Sequence, residues 1–539
     1  MQGRKDFTPK LFTTVNLYDL VPEDNFYRKL LNTLDLEFLR KSTSKYYGYE
    51  GQQSIDPVVF FKILLIGFMN NINSDRRLIS FCSDSLSIRL FLGFDIDESL
   101  PWHSTISRTR QLYGEQVFLE LFKLVLSMCI QKGMVRGKRQ AIDSAFIKAN
   151  ASLDSLQEKE VLDDATVYAN ELNEGSEYKV SKARKKLVER HHLWKEQAYK
   201  GQPGGKNLSG HTNKTDAPMD ENGNLIRPRY LSNHTHFSPT DPDARISVKP
   251  GKARQLNYYG QLSVDDRHHV ITGACADFAD KRDSQCLENI VIQTRENLSE
   301  HEMRPGDILA DAGYSSGEAL KFLNDENLEA WIPNFGQYIP ERPGFIYNKE
   351  LNQYSCVKEG GHKAILSYKG EKTDSKGYVK RSYRSSKRDC RTCPLRVQCC
   401  GKKTNFKKID DSIHKELYDK MHEKPTQNEK RAKQMSKIRS KTVEPVLGSL
   451  LNFYNMRRVN TRGIKQANKH VLMAALTYNL LKYVKFERFR PVTIFQALEA
   501  SNLKIKNHIK VILSFLNTHV HVYTVEHSCQ GILRYLNVC

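Results

Sequence analysis

Two aspartates of the chain stand where a strand would place a carboxylate among apolar residues. Asp143 lies in the segment AIDSAF, and Asp311 lies in ILADAGYSS, where a strand is predicted to end at Ala-Gly. An ionised carboxylate in or at the end of a buried strand costs free energy unless a cation offsets it. Carboxylate oxygens that leave room for water and phosphate suit Mg²⁺. The pair therefore predicts a magnesium site at one sheet edge.

A third acid, Glu444, precedes Pro445 in the segment TVEPVLGSLLNFY. Proline suits the first position of a helix, so Glu444 is predicted at or near a helix start. The apolar residues that follow recur with helical spacing, so this helix should pack on the core and bring Glu444 over the two aspartates. Basic residues flank this acid, as expected where acids meet DNA phosphates: Arg439, Lys441, Arg457 and Arg458.

The composition describes a basic, globular chain. Its 539 residues exceed one ordinary core, and 83 Lys and Arg against 62 Asp and Glu give a net charge of +21. This excess favours a polyanionic partner, nucleic acid first, although solvated lysine faces of an ordinary soluble protein are the alternative. The longest apolar run, VVFFKILLIGF, contains Lys62 and is too short to span a bilayer. We therefore predict a cytoplasmic protein with no membrane segment.

The apolar patterns divide the chain into a helical part and an α/β part. Residues 15–130 show helical spacing, and from residue 138 the order is strand, hairpin, helix, strand, helix, strand. In the helical part, Ser104 or Thr105 could cap a helix that carries Arg108 and Arg110. A helix-turn-helix on DNA and a capped surface helix of a small bundle both fit this segment.

A basic, cysteine-containing stretch separates the second and third acids. Residues 376–408 hold twelve Lys and Arg and one acid. A Cys-x-x-Cys with one cysteine before it and one after could hold Zn²⁺ and staple a stretch with little apolar core, although reduced thiols are the alternative. The predicted zinc ligands are Cys356, Cys390, Cys393 and Cys399, with Cys400 or His362 as replacements, and the predicted DNA-phosphate contacts are Lys402, Lys403, Lys407 and Lys408.

In order and local context these segments resemble bacterial insertion-sequence transposases of the DDE superfamily, in the branch with a helical N-terminal domain and an RNase H-like domain. The resemblance covers roughly residues 10–485. It rests on DPVVFFKILLIG, PWHSTISRTR, AIDSAFIKANAS, TDPDARISVKPGKARQLNYYGQLSVD, ILADAGYSSGEAL, CRTCPLRVQC and RSKTVEPVLGSLL.

The resemblance implies a multidomain α/β protein, in which a helical DNA-binding domain precedes an RNase H-like mixed-sheet catalytic domain with insertions. The expected parts are the helical domain at 1–135, the catalytic core at 136–150 and 229–340, a charged insertion at 151–228, a basic Cys-containing insertion at 341–429, the C-terminal part of the core at 430–490, and a tail of unassigned role at 491–539.

The resemblance also implies a function. Asp143, Asp311 and Glu444 would bind two Mg²⁺ ions, with Mn²⁺ as a substitute, for cleavage of element ends and strand transfer into target DNA. A homodimer is expected because two ends must be joined.

Related groups place Tyr three residues before an Arg, that Arg four before the Glu, and Lys seven after it. In this chain those three positions hold Lys437, Ser440 and Leu451. Arg439 and Lys441 are therefore expected to contact the DNA phosphates in place of the family's residues.

Two other functions fit parts of the same pattern. A DNA-binding protein derived from such an element would use the basic residues without cleavage, and a plain RNase H-like nuclease would share the metal site but lack end binding and strand transfer. The competing acids are Asp241, Asp243, Asp265, Asp266, Asp277 and Asp280, of which Asp265 and Asp266 are predicted in a hairpin turn and Asp243, with Arg245, in a loop on the substrate side.

Overall fold

The computed structural model describes residues 16–48, 50, 54–158, 233, 236–247, 254–336, 338–374 and 378–488. Residues 1–482 form one compact unit and residues 483–539 another. Most of the charged insertion predicted at 151–228, and all of the tail predicted at 491–539, lie outside the described residues. None of the described helices combines the length and the apolar character that crossing a membrane requires.

The first part of the chain is helical, as its apolar spacing predicts. Side chains cap several of these helices. Asp56 accepts a hydrogen bond from the N–H of Val58, Ser74 accepts one from Arg77, and Ser85 accepts one from Ile88. The helices are α1 Leu17–Leu20, α2 Phe26–Thr33, α3 Phe38–Thr43, α4 Pro57–Met69, α5 Asp75–Ser83, α6 Leu86–Leu92, α7 His103–Leu112 and α8 Glu115–Gln131. Neither Ser104 nor Thr105 caps α7, which begins at His103 without a side-chain cap.

A mixed sheet follows the helices and pairs in the order β4-β5-β1-β7-β8, with β6 also on β5. Strands β1, β7 and β8 run parallel, whereas β5 is antiparallel to β1, β4 and β6. The predicted hairpin is β5–β6. The strands are β1 Arg139–Lys148, β4 Arg245–Ser247, β5 Gln255–Asp265, β6 Ile271–Phe278, β7 Asp307–Leu309 and β8 Glu329–Trp331, and a separate pair consists of β2 Gln157–Glu158 and β3 His236–Phe237.

The segment between β8 and the third acid forms a second sheet, which the sequence did not predict. Its five strands are antiparallel, and one face buries Phe345, Tyr354, Leu366, Tyr383 and Ile409. The expectation of little apolar core in this stretch is therefore wrong. We call strands β9–β13 the basic sheet; they are β9 Phe345–Asn348, β10 Gln353–Cys356, β11 Ile365–Thr373, β12 Val379–Ser385 and β13 Lys408–Ser412.

Helices cover the mixed sheet and join it to the N-terminal helices. The helix Asp283–Ser299 (α9) packs on β6, and the helix Glu429–Phe453 (α14) packs on β1. Asn71 donates a hydrogen bond to the carbonyl of Asn452, near the end of α14, and accepts the N–H of Asn455, just after it. The N-terminal helices thus belong to the same compact unit as the sheet. The remaining helices are α9 Asp283–Ser299, α10 Gly317–Asp325, α11 Lys387–Arg391, α12 Arg396–Cys400, α13 Lys415–Gln427, α14 Glu429–Phe453 and α15 Ile464–Arg488.

This order, with helices first and a mixed sheet with insertions after them, confirms the predicted fold class. Because parallel strands end at one edge of the sheet, the fold also determines which polar residues meet there.

Candidate active site

Asp143 lies in the middle of β1, and only 18% of its side chain is exposed. The backbone N–H of Ser144 donates a hydrogen bond to its Oδ1 (2.8 Å), and a guanidinium nitrogen of Arg439 lies 3.3 Å from its Oδ2. Burial raises the pKa of Asp143 to about 6; the charges of Asp311 and Asp283 also raise it, against the lowering effects of Ser144 and Arg439. The ionised form of Asp143 is therefore less favourable here than in an exposed aspartate.

Asp311 lies beside Asp143 because of the strand register. β1 and β7 are parallel neighbours, with Ala141 opposite Leu309, and each aspartate follows that pair by two residues. The N–H of Gly313 donates to Asp311 Oδ1 (2.9 Å), and a 3₁₀ turn begins here. The two carboxylates therefore stand at the same level of adjacent strands.

Glu444 approaches from helix α14, which packs on β1. One nitrogen of the Arg439 guanidinium lies 3.0 Å from Glu444 Oε1, and another contacts Asp143. A single arginine thus bridges the first and third acids. Asp143 and Asp311 thus stand on neighbouring strands, and Arg439 links Asp143 to Glu444; that these three acids form one catalytic set stays a prediction.

The predicted helix start at Glu444 is wrong. Helix α14 begins at Glu429, where the side chain of Asn428 accepts the N–H of Arg431, and Pro445 lies inside the helix. Proline in a helix interior removes a hydrogen bond. The helix continues because its apolar face is buried against the core on both sides of the proline, through Met435, Val443, Val446, Leu447 and Leu450.

A fourth acid, Asp283, lies in the same place and was missed in the sequence. It begins α9, after strand β6, which runs parallel to β1 because both are antiparallel to β5. Its Oδ1 accepts hydrogen bonds from Ser144 Oγ (2.6 Å) and from the Tyr259 hydroxyl. The sequence does contain a signal for Asp283. It is an acid in the first turn of the helix that follows the β5–β6 hairpin, and β6 ends at the same edge of the sheet as β1.

The chemistry of this donor set fits a divalent cation. Arg439 pairs with two of the four carboxylates, and a Cβ built on Gly313 would lie 2.8 Å from Asp283 Oδ2 and 3.0 Å from Asp311 Oδ1, so the other two lie against this glycine. Across the described residues, however, no three His, Cys, Asp or Glu side chains already form a group that could hold a metal ion. Arg439 lies between Asp143 and Glu444 instead.

The competing acids have structural contacts elsewhere. Asp243 accepts the N–H of Ile464 (2.9 Å) at the start of α15, and buried Asp265 accepts the N–H of Gly137 (2.7 Å). The others pair as follows: Asp241 with the Tyr258 hydroxyl, Asp266 with Arg139, Asp277 with Lys281, and Asp280 with Arg245.

The predicted zinc site is not supported. Cys356, Cys390, Cys393, Cys399, Cys400 and His362 do line one small cavity of about 20 Å³. The Cys390 sulfur, however, lies 3.1 Å from Ser385 Oγ, and the Cys393 sulfur accepts the N–H of His362 (3.5 Å). Burial and the neighbouring thiols raise the pKa of Cys400 to about 12, which disfavours the thiolate form that binds a metal. These contacts are those of reduced thiols, and no metal-holding group occurs in the described part of the chain.

The basic residues predicted to contact DNA differ in their exposure and in their partners. Arg110 is buried and paired with Asp75, and Lys407 donates to the carbonyl of Cys399 (2.8 Å), so both act inside the fold. Lys408 pairs with Asp410 (2.6 Å) although it is exposed. Arg439 lies among the acids. The exposed ones are Arg108, Lys402, Lys403, Lys441, Arg457 and Arg458.

Comparison with known families matches two parts of the chain. Residues 15–112 match a family described as transposase domain (DUF772), and residues 359–484 match a family described as transposase DDE domain. The second match includes Glu444 and Arg439, whereas Asp143 and Asp311 precede it. No curated protein matches the chain. The two matches, on a helical region followed by a mixed sheet, support an insertion-sequence transposase of the DDE superfamily.

Proposed function

We propose that this transposase binds the ends of its insertion sequence and catalyses metal-dependent strand cleavage and strand transfer, with Asp143, Asp311 and Glu444 as the catalytic acids. One arrangement carries the proposal. Asp143 and Asp311 lie side by side at adjacent parallel strands, and Arg439 pairs with both Asp143 and Glu444. The proposed cofactor is Mg²⁺, as two ions, and Mn²⁺ can replace it.

The proposed roles follow from how each side chain is held. Backbone N–H groups of Ser144 and Gly313 fix the carboxylates of Asp143 and Asp311, so these need little reorganisation on binding a cation. When bound, a divalent cation supplies charge stabilisation to the attacking and leaving oxygens of the phosphodiester. The Arg439 guanidinium can donate two hydrogen bonds to one phosphate. With the cation bound, Arg439 would leave Asp143 and Glu444 and bind a phosphate of the scissile DNA strand.

The proposed partners are double-stranded DNA and a second copy of the chain. Both element ends and the target are substrates, and a homodimer on DNA would hold the two ends together. We place this reaction in the bacterial cytoplasm, where the DNA lies.

The test is to incubate purified protein with labelled duplexes that carry either end of its element, with Mg²⁺ and a target plasmid, and to size the products. We expect breaks at the element boundary and joined products. Tight end binding without breaks in Mg²⁺ or Mn²⁺ would favour the DNA-binding alternative. Breaks without end preference or joining would favour the plain nuclease.

Two exposed lysines in the loop before β13 give a separate prediction. Replacing Lys402 and Lys403 by Ala should weaken end binding on the order of tenfold to a hundredfold near 0.1 M salt, because each lost phosphate contact releases about one counterion fewer. The slope of log affinity against log salt should fall by roughly two. Fluorescence anisotropy over a salt series measures both quantities.

The matched control removes two exposed lysines elsewhere, Lys321 on α10 and Lys349 after β9. It carries the same change in net charge. Equal losses in the two double variants would show a nonspecific charge effect and contradict the proposed contact.

A further inference from the structure

Two basic residues are held side by side at the far end of β1. Lys148 is the last residue of this strand, and it forms an isolated parallel bridge with Arg458, in the loop after α14. The N–H of Lys148 donates to the carbonyl of Arg457 (3.0 Å), and the N–H of Val459 donates to the carbonyl of Lys148 (2.9 Å). Residues paired in this way send their side chains to the same side of the sheet. The backbone therefore fixes two positive charges next to each other.

This pairing is electrostatically unfavourable for the protein alone, because like charges directly opposite each other on paired strands are destabilising. Both side chains are exposed, and in the part of the chain that the structure describes no carboxylate forms an ion pair with Lys148 or Arg458. Arg458 instead donates a hydrogen bond to Asn150 Oδ1 (3.3 Å), and the side chain of Asn150 is held by the carbonyl of Asn460 (3.1 Å). Two neighbouring cations without an acid are suited to an anion from outside the chain.

Both residues line one open groove of about 710 Å³. A water molecule takes about 30 Å³, so the groove is far larger than a site for a single ion and has room for a polymer backbone. The charged side chains that line it are three basic ones and one acid: Lys148, Arg254, Arg458 and Asp154. The acid accepts a hydrogen bond from Ser152 Oγ (3.1 Å). The excess of positive charge in the groove matches the phosphates of a nucleic acid.

The groove lies at the end of the strand that carries the first proposed catalytic acid. Lys148 follows Asp143 by five residues, so roughly 16 Å separate the two backbones at about 3.3 Å per residue. β5 pairs with one edge of β1 as far as Lys148, so the bridge to Arg458 occupies the other edge, on which β7 lies. A DNA duplex advances about 3.4 Å per base pair, so a duplex that follows this edge covers about five base pairs over that distance.

We infer that Lys148 and Arg458 together bind one backbone phosphate of the element-end DNA, about five base pairs from the bond that is cleaved. The guanidinium of Arg458 can donate two hydrogen bonds to a phosphate, and the ammonium group of Lys148 adds a point charge. A phosphate contact of this kind fixes the register of the protein on DNA without reading the base sequence. This inference rests on the proposed function, to which it adds Lys148 and a defined position on the DNA.

The first part of the test is a double variant of the full-length protein. Lys148→Ala/Arg458→Ala should weaken binding of the element end about tenfold near 0.1 M salt, and the slope of log affinity against log salt should fall by about one, because one phosphate contact is lost. The variant should unfold at the wild-type temperature, since both side chains are exposed. Lys321→Ala/Lys349→Ala is the control, because it carries the same change in net charge. Fluorescence anisotropy measures the affinities.

The second part locates the contact on the DNA with duplexes in which a methylphosphonate removes the charge of one phosphate at a time. In the wild-type protein we expect a loss of affinity at a position about five base pairs from the cleaved bond, and this loss should disappear in Lys148→Ala/Arg458→Ala. If the loss persists in that variant, or if the variant binds as tightly as the control, the inference is wrong while the proposed function stands. If the wild-type protein shows no preference for element ends, the proposed function fails and the inference with it.

Discussion

Asp143→Asn is expected to lower the rate of end cleavage by at least about a thousandfold, which corresponds to about 4 kcal/mol of activation free energy. Asparagine keeps the shape of the side chain and an acceptor for the Ser144 N–H, but it removes the charge that would bind the cation. The affinity for element-end DNA should not fall, since a negative charge near the phosphates is lost. Single-turnover cleavage at saturating DNA and anisotropy measure the two quantities.

The stability of the variant provides an internal check. Burial and neighbouring acids raise the pKa of Asp143 to about 6, above its ordinary value of 3.8, so at pH 7 its charge opposes folding. Asp143→Asn should therefore unfold at a temperature no lower than that of the wild-type protein. Asp307→Asn serves as the catalytic control and should cleave at close to the wild-type rate. Cleavage by Asp143→Asn at the wild-type rate would remove Asp143 from the proposed triad.

Arg110→Ala is expected to lower the free energy of unfolding by about 3–5 kcal/mol, because it leaves a buried carboxylate without its partner. The two guanidinium nitrogens of Arg110 lie 3.0 and 2.6 Å from the carboxylate oxygens of Asp75, and the side chains are only 11% and 16% exposed. This pair joins α7 to α5. Urea unfolding followed by circular dichroism measures the loss.

Arg108 provides the matched control, since it lies two residues earlier on the same helix and is exposed. Arg108→Ala should change the free energy of unfolding by less than about 0.5 kcal/mol. The double variant Asp75→Asn/Arg110→Met should recover part of the loss, because no unpaired charge stays buried. Equal stability of Arg110→Ala and Arg108→Ala would contradict a structural role for the ion pair.

Local sequence was sufficient for the elements that hold the first two acids. Alternation around Asp143 and the Ala-Gly turn after Asp311 are properties of single strands, so both positions could be predicted without knowing their neighbours. The start of α14 could not, because Pro445 imitates a helix start while burial of Val443 and Val446 carries the helix through it.

The amino-acid sequence by itself determined the helical first part, the α/β second part, the strand positions of Asp143 and Asp311, and the excess of positive charge. Only the tertiary structure decided that Asp283 joins these acids, that Arg439 bridges two of them, and that Arg110 is buried while Arg108 is exposed. The physical reason is that strand alternation and helical spacing act between residues close in the chain. Pairing across strands and helix packing instead bring together residues that lie far apart in the chain, such as Ser144 and Asp283, which are 139 positions apart.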